Sequence, residues 1–189
     1  MTRDHVNLQR RPFLTPIWLT VLGALLAMSF VGFMTWVWGT ADSTTIVVIR
    51  HAEKELNAGP DPPLNAAGQA RAALLARMFG DVRADWHIDA IYVSPALRNR
   101  MTAAPLAARL GVAPIVGPLG NARGLARQVL HEHAGGRVLV IGHSDSVPEI
   151  VEALSGAKHL PAIGDEEYDA MYIVSVPRIG RANLLRLSY

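Results

Sequence analysis

Residues 45 to 54 read TIVVIRHAEK, and this stretch decides how the rest of the chain is interpreted. Ile46, Val47, Val48 and Ile49 are β-branched and favour an extended backbone. A run that is apolar at every position, rather than at alternate ones, marks a strand buried on both faces. Such strands belong to sheets covered by helices on either side. The run stops abruptly at Arg50 and His51, with Glu53 close behind.

Working outward, Arg137 to Gly142 (RVLVIG) has the same character, and Ala90 to Ser94, Met171 to Val176 and Leu184 to Leu187 are further strand candidates. Helical periodicity separates them near Ala66 to Phe79, Pro95 to Leu110 and Asn121 to His133. A fourth helix follows RVLVIG, where Ser146 and Glu149 have capping-box spacing and Val147, Ile150, Val151 and Leu154 share one face. Residues 57–65, NAGPDPPLN, are too rich in Pro and Gly for a regular element, so they form a loop with Asn65 as N-cap of the first helix. Alternating strands and helices predict an α/β fold: a three-layer α/β/α sandwich around a mainly parallel sheet, occupying residues 41–189.

Upstream the pattern changes. Ile17 to Trp38 runs for about 22 residues without a charge, long enough to cross a bilayer as a helix. Trp18 sits near one end, Trp36 and Trp38 at the other, and Arg3, Arg10 and Arg11 precede the run. The expectation is a cytoplasmic tail over 1–15, a membrane anchor over 16–40, and a domain placed periplasmically or extracellularly. The alternative is export with cleavage, because Arg10-Arg11-Pro12-Phe13-Leu14 is similar to a twin-arginine signal and Gly39-Thr40-Ala41 offers a cutting site.

Composition narrows the function. A net charge of +2 with scattered Lys and Arg residues leaves no basic stripe for nucleic acid, and the absence of cysteine excludes disulfides, thiolate zinc sites and a cysteine nucleophile. Three strands instead end in residues suited to phosphate: Arg50 and His51, then Ser94 and Arg98, then His143. Ligands of α/β sheets bind outside the carboxyl ends of the strands, so these groups are expected to meet. Arginine offers phosphate a planar fork of donors. A neutral imidazole can attack phosphorus, and a second, protonated one can stabilise the transferring group.

Arg50-His51-Ala52-Glu53-Lys54 resembles the RHG or RHA signature of the histidine phosphatase (phosphoglycerate mutase-like) superfamily. Ser94-Pro95-Ala96-Leu97-Arg98 with Thr102-Ala103 is similar to its S-x-x-x-R-x-x-x-T-A segment. Gly142-His143-Ser144 with Pro148 resembles its G-H-S-x-x-x-P segment, and Leu64-Asn65-Ala66-Ala67-Gly68 its L-T-x-x-G element. The resemblance implies a phosphohistidine intermediate on His51, phosphate bound by Arg50, Arg98 and His143 with Ser144 beside them, and neither metal nor cofactor. The chain departs from it where many members carry a Glu some way beyond the second arginine: here GPLGNARG stands at residues 117–124. The proton donor is therefore expected to be Glu53, with Asp145 as the alternative.

The function expected is hydrolysis of phosphomonoesters, on a phosphorylated small molecule or a lipid-linked substrate of the envelope brought near by the anchor. A protein phosphohistidine phosphatase is the enzymatic alternative, and a non-catalytic anion-binding module is the alternative from another class. Other polar residues read more plainly. Asn57 is expected to form a turn, His131 and His133 to be solvated beside Glu132, and residues 165–169 (DEEYD) to form an exposed acidic turn, with a role at a pocket entrance selecting cationic substrates as the sharper reading.

Overall fold

The computed structural model describes residues 16–39, 42–81 and 87–189, excluding the side chains of residues 38 and 39. The tail over 1–15, with Arg3, Arg10 and Arg11, lies outside the described residues, as does Ala41. The chain divides into two units, one ending at Gly39 and the other beginning at residue 40.

The first unit is helix α1, Ile17–Gly39. Within it Ile17–Val37 is long and apolar enough to cross a membrane, with mean hydropathy 2.1 and no part of that window buried. Its hydroxyls are satisfied within the helix: Thr20 donates to the Ile17 carbonyl and Thr35 to the Gly32 carbonyl. Such internal bonds lower the cost of a polar side chain in an apolar surround.

In the second unit the elements alternate as β1 (Ser43–Arg50), α2 (Ala66–Gly80), β2 (Ala90–Val93), α3 (Leu97–Leu110), β3 (Ile115–Val116), α4 (Ala122–Glu132), β4 (Arg137–Gly142), α5 (Ser146–Ser155), β5 (Ala170–Pro177) and β6 (Asn183–Ser188). The six strands form one sheet in the order β3-β2-β4-β1-β5-β6. Pairings among β3, β2, β4 and β1 are parallel, whereas β5 is antiparallel to both β1 and β6. The α/β sandwich is thus as expected, with β5 the one reversed strand among those described.

Side chains alternate across this sheet. Ile46, Val48, Val138 and Val140 face Leu125, Val129, Val147 and Ile150 of α4 and α5. Val47, Ile49, Leu139 and Ile141 face Leu75, Phe79, Ala103 and Leu106 of α2 and α3. Each fully buried aliphatic side chain contributes about 1.5–3 kcal/mol, so both layers are needed to hold the central strands.

Three local expectations change. Strand β3 was missed because two exposed residues, Ile115 and Val116, carry no periodic signal. Helix α3 starts at Leu97 rather than Pro95, since Ala96 is extended (φ −57°, ψ 138°). The capping box at Ser146 does not form: Asp145 is the N-cap and accepts from the Ser146 amide at 2.7 Å. Ser146 Oγ instead accepts from the His143 amide at 2.9 Å, closing the turn that follows β4. Asn65 does cap α2, accepting from the Gly68 amide.

Candidate active site

Strand register assembles the site. Arg50 lies opposite Gly142 and Val93 opposite Ile141, so the three strand ends align and the next residues, His51, His143 and Ser94, fall side by side. Because β5 runs the other way, with Ile49 opposite Met171, the chain enters it at this same edge, bringing the loop before Ala170 to the site. A cavity of about 410 Å³ opens here, lined by Arg50, His51, Lys54, Arg98, His143, Ser144, Asp145 and Asp165. A larger cavity of about 510 Å³ lies between α4 and α5 and contains none of these residues; the chemistry marks the smaller one.

His51 is buried and its ring is fixed. Its Nδ1 lies 2.8 Å from the Ala52 carbonyl, and Arg98 Nε–H donates to its Nε2 at 3.1 Å. Since Nε2 accepts, the proton must sit on Nδ1 and point at the carbonyl, and the Nε2 lone pair is held by Arg98 at the cavity wall. Burial pushes the His51 pKa down to about 4; the carbonyl contact opposes this, and Arg98, Arg50 and His143 add to it. The ring is neutral at ordinary pH.

His143 stands edge-on to His51, with ring centroids 5.4 Å apart. Arg98 Nη2 lies 3.3 Å from its Nδ1 and Ser94 Oγ 2.9 Å from its Nε2. The guanidinium can only donate, so His143 Nε2–H donates to Ser94. Burial lowers the His143 pKa, Arg98 and Arg50 lower it further, and Asp145 opposes them. The second imidazole, expected to be protonated, is therefore neutral in this arrangement. An incoming dianion shifts that balance toward the imidazolium.

The arginines are held by different means. Arg50 Nη1 donates to the carbonyls of Gly164, Asp165 and Glu167 at 2.7, 2.8 and 3.2 Å, and its guanidinium lies 4.2 Å from the Tyr168 ring centre. Arg50 is 4% exposed, yet its Nε has no hydrogen-bond partner among the described residues. A buried cation with an unmatched donor at a cavity wall is a strong pull for an anion. Arg98 Nη1 lies 3.7 Å from Asp61, which also accepts from the Leu97 amide at 2.9 Å and so starts α3 in place of an N-cap side chain.

Glu53 does not reach the cavity. Its carboxylate is gripped by Arg71 of α2, whose Nη2 and Nε approach at 2.7 and 3.0 Å. Burial raises the Glu53 pKa, but the Arg71 hydrogen bonds and charge outweigh it and hold the carboxyl below its usual range. A carboxylate both turned away and kept ionised is a poor proton donor, so the assignment to Glu53 is corrected. Asp145, the alternative, does line the cavity.

The structure shows how further residues support the site. Thr102 Oγ1 accepts from the Ala52 amide and donates to the Arg98 carbonyl, tying both halves of the site together. Asn99, fully buried, donates to the carbonyls of Ile141 and Gly142. Gly68 is required because a Cβ there would fall 2.2 Å from the Glu53 carbonyl oxygen. At Gly142 a Cβ would sit 2.8 Å from Ser146 Oγ. Asn57 adopts φ 64°, the turn-forming role expected of it. Of the two histidines read as solvated, His131 is exposed, whereas His133 Nε2 lies 3.1 Å from the Tyr92 hydroxyl, which also bonds the Glu132 carboxylate at 2.9 Å.

Residues 46–118 match the model of the histidine phosphatase superfamily (branch 1). The matched segment contains His51, Arg50 and Arg98, while His143 lies beyond it. No curated protein sequence matches the chain. The chain is similar in fold to the protein histidine phosphatase SixA complexed with tungstate (TM-score 0.61, 22% identity, 76% of this chain and 96% of that one). It is also similar to a mycobacterial glucosyl-3-phosphoglycerate phosphatase (TM-score 0.59, 16% identity, 75% and 97%). A phosphoserine phosphatase mutant from Entamoeba histolytica, in complex with phosphoserine, aligns with TM-score 0.57 at 15% identity over 75% and 94%. At these identities the likeness is one of fold.

Proposed function

We propose that the domain is a phosphatase that hydrolyses phosphomonoesters through a phosphohistidine formed on His51 Nε2. The observation that carries this is the fixed tautomer: Nδ1–H is tied to the Ala52 carbonyl, so Nε2 carries the lone pair, held by Arg98 in a cavity lined by Arg50, Arg98 and His143. An arriving dianion takes the Arg98 donors, releasing Nε2 to attack phosphorus while the ester P–O bond breaks. Asp145 protonates the departing oxygen. Water then attacks the phosphohistidine, its proton returns to Asp145, and inorganic phosphate leaves. Arg50, Arg98, His143 and the Ser144 turn hold the equatorial oxygens.

A phosphohistidine substrate is the second reading. Residues 117–124 supply nothing to the cavity lining, and a leaving imidazole needs less help from an acid; the fold neighbour described as a protein histidine phosphatase points the same way. We further infer that α1 anchors the domain on the extracytoplasmic side, near phosphorylated or lipid-linked envelope substrates. The test is a phosphoenzyme trap: wild type should carry acid-labile, base-stable phosphate, and His51→Ala should carry none and turn over nothing. Undiminished hydrolysis by His51→Ala overturns the reading. A panel of alkyl phosphates and phosphohistidine peptides decides between the two substrate classes.

A further inference from the structure

Most acidic side chains around the site have partners, Asp145 among them through the Ser146 amide. Glu53 is held by Arg71, Asp61 by Arg98 and the Leu97 amide, and Glu167 by Arg186 and the Gly164 amide. Asp165 lines the cavity, and no described residue forms an ion pair or hydrogen bond with its carboxylate. Its side chain is exposed, but the backbone that carries it is held in place. Its own backbone carbonyl accepts from Arg50 Nη1 at 2.8 Å, the Gly164 and Glu167 carbonyls flank that contact, and Tyr168 stacks on the same guanidinium. The loop that carries Asp165 is therefore built onto a buried arginine whose Nε still lacks a partner, so the backbone from which the carboxylate projects keeps a fixed relation to the anion-attracting group.

An unmatched carboxylate at the wall of a phosphate cavity repels a simple dianionic ester. It becomes favourable when the ester's organic part carries a positive charge close to the phosphate. Resting on the phosphatase reading, we propose that Asp165 is a specificity-determining residue that selects phosphomonoesters bearing a primary ammonium group on a short chain. The phosphate sits against Arg50 and Arg98, and the ammonium lies against Asp165 at the mouth. Only an ion pair forms there, so the bond-making steps above are unchanged.

Opposite responses of two matched substrates test this. Full-length protein in detergent is assayed with O-phosphoethanolamine and with n-propyl phosphate, which has the same length and no charge on its organic part. Wild type should show the lower KM for O-phosphoethanolamine. Asp165→Asn should raise that KM roughly 1.5- to 5-fold, the range of an exposed ion pair, while lowering the KM for n-propyl phosphate. Asp165→Glu should keep the original order, and unchanged thermal melting shows that the loop remains in place. Equal KM values in wild type, or a shift of both substrates in one direction in Asp165→Asn, would overturn the assignment. If neither compound is hydrolysed, the phosphatase reading is what fails; calorimetric titration of wild type with both compounds still reads the preference, and its absence there refutes the role of Asp165.

Discussion

Acid should unfold this domain through His51. An ordinary histidine takes its proton near pH 6.5, whereas burial and the neighbouring cations hold His51 down to about 4 in the folded chain. The unfolded chain therefore protonates first. Stability from this group is fully present above about pH 6.5 and is lost as the pH falls toward 4. Each pKa unit corresponds to about 1.4 kcal/mol, so the whole gap amounts to about 3 kcal/mol, of which about 2 kcal/mol disappears between pH 7 and pH 5. His143, also lowered, acts in the same direction, so the comparison that isolates His51 is wild type against His51→Gln. Denaturant unfolding of the full chain in detergent, followed by far-ultraviolet circular dichroism at pH 5, 6 and 7, should give a flatter stability profile for His51→Gln by about 2 kcal/mol. Ring resonances of His51 should titrate near pH 4 with the proton on Nδ1 above it. Parallel profiles for the two proteins, or a His51 ring titrating near 6.5, would refute the account of a buried neutral nucleophile.

Glu53→Gln should slow an alkyl phosphate and p-nitrophenyl phosphate equally while costing about 1–3 kcal/mol in stability through the lost Arg71 contacts, as read by denaturant midpoints. A selective loss on the alkyl ester would restore Glu53 as the acid. Gly68→Ala should destabilise by about 1–3 kcal/mol, because its methyl group overlaps the Glu53 carbonyl oxygen and the loop carrying His51 must move; differential scanning calorimetry and a fall in turnover check it. Asp61→Ala should cost about 0.5–2 kcal/mol by uncapping α3 and should raise KM by freeing Arg98, whereas Asp61→Asn, which retains a capping oxygen, should recover stability but not KM. Deleting residues 1–40 should move the protein from the membrane pellet to the soluble fraction; retention in the pellet would argue against α1 as the anchor.

Much of this was legible along the chain because it is encoded locally. β-Branched runs at Ile46–Ile49 and Val138–Ile141 mark the central strands whatever surrounds them, and Arg50, His51, Arg98 and His143 announce themselves by following such runs in a crevice-forming fold. Asn65 before Ala66 and the uncharged stretch from Ile17 are equally local. Tertiary structure alone decided which of these groups can act. Glu53 stands two residues from His51, yet Arg71, 18 residues away on a helix packed beside the loop, draws its carboxylate out of the cavity. Asp165 and Tyr168 lie more than a hundred residues from Arg50 and reach it only because β5 pairs antiparallel with β1, a choice made by long-range hydrogen bonds rather than by any residue pattern in the segment itself. Proton positions belong to the same class: the neutral state of His51 follows from its burial and from Arg98, Arg50 and His143 meeting around one ring against the opposing Ala52 carbonyl, and burial is a property of the assembled core, not of the peptide that contributes the histidine.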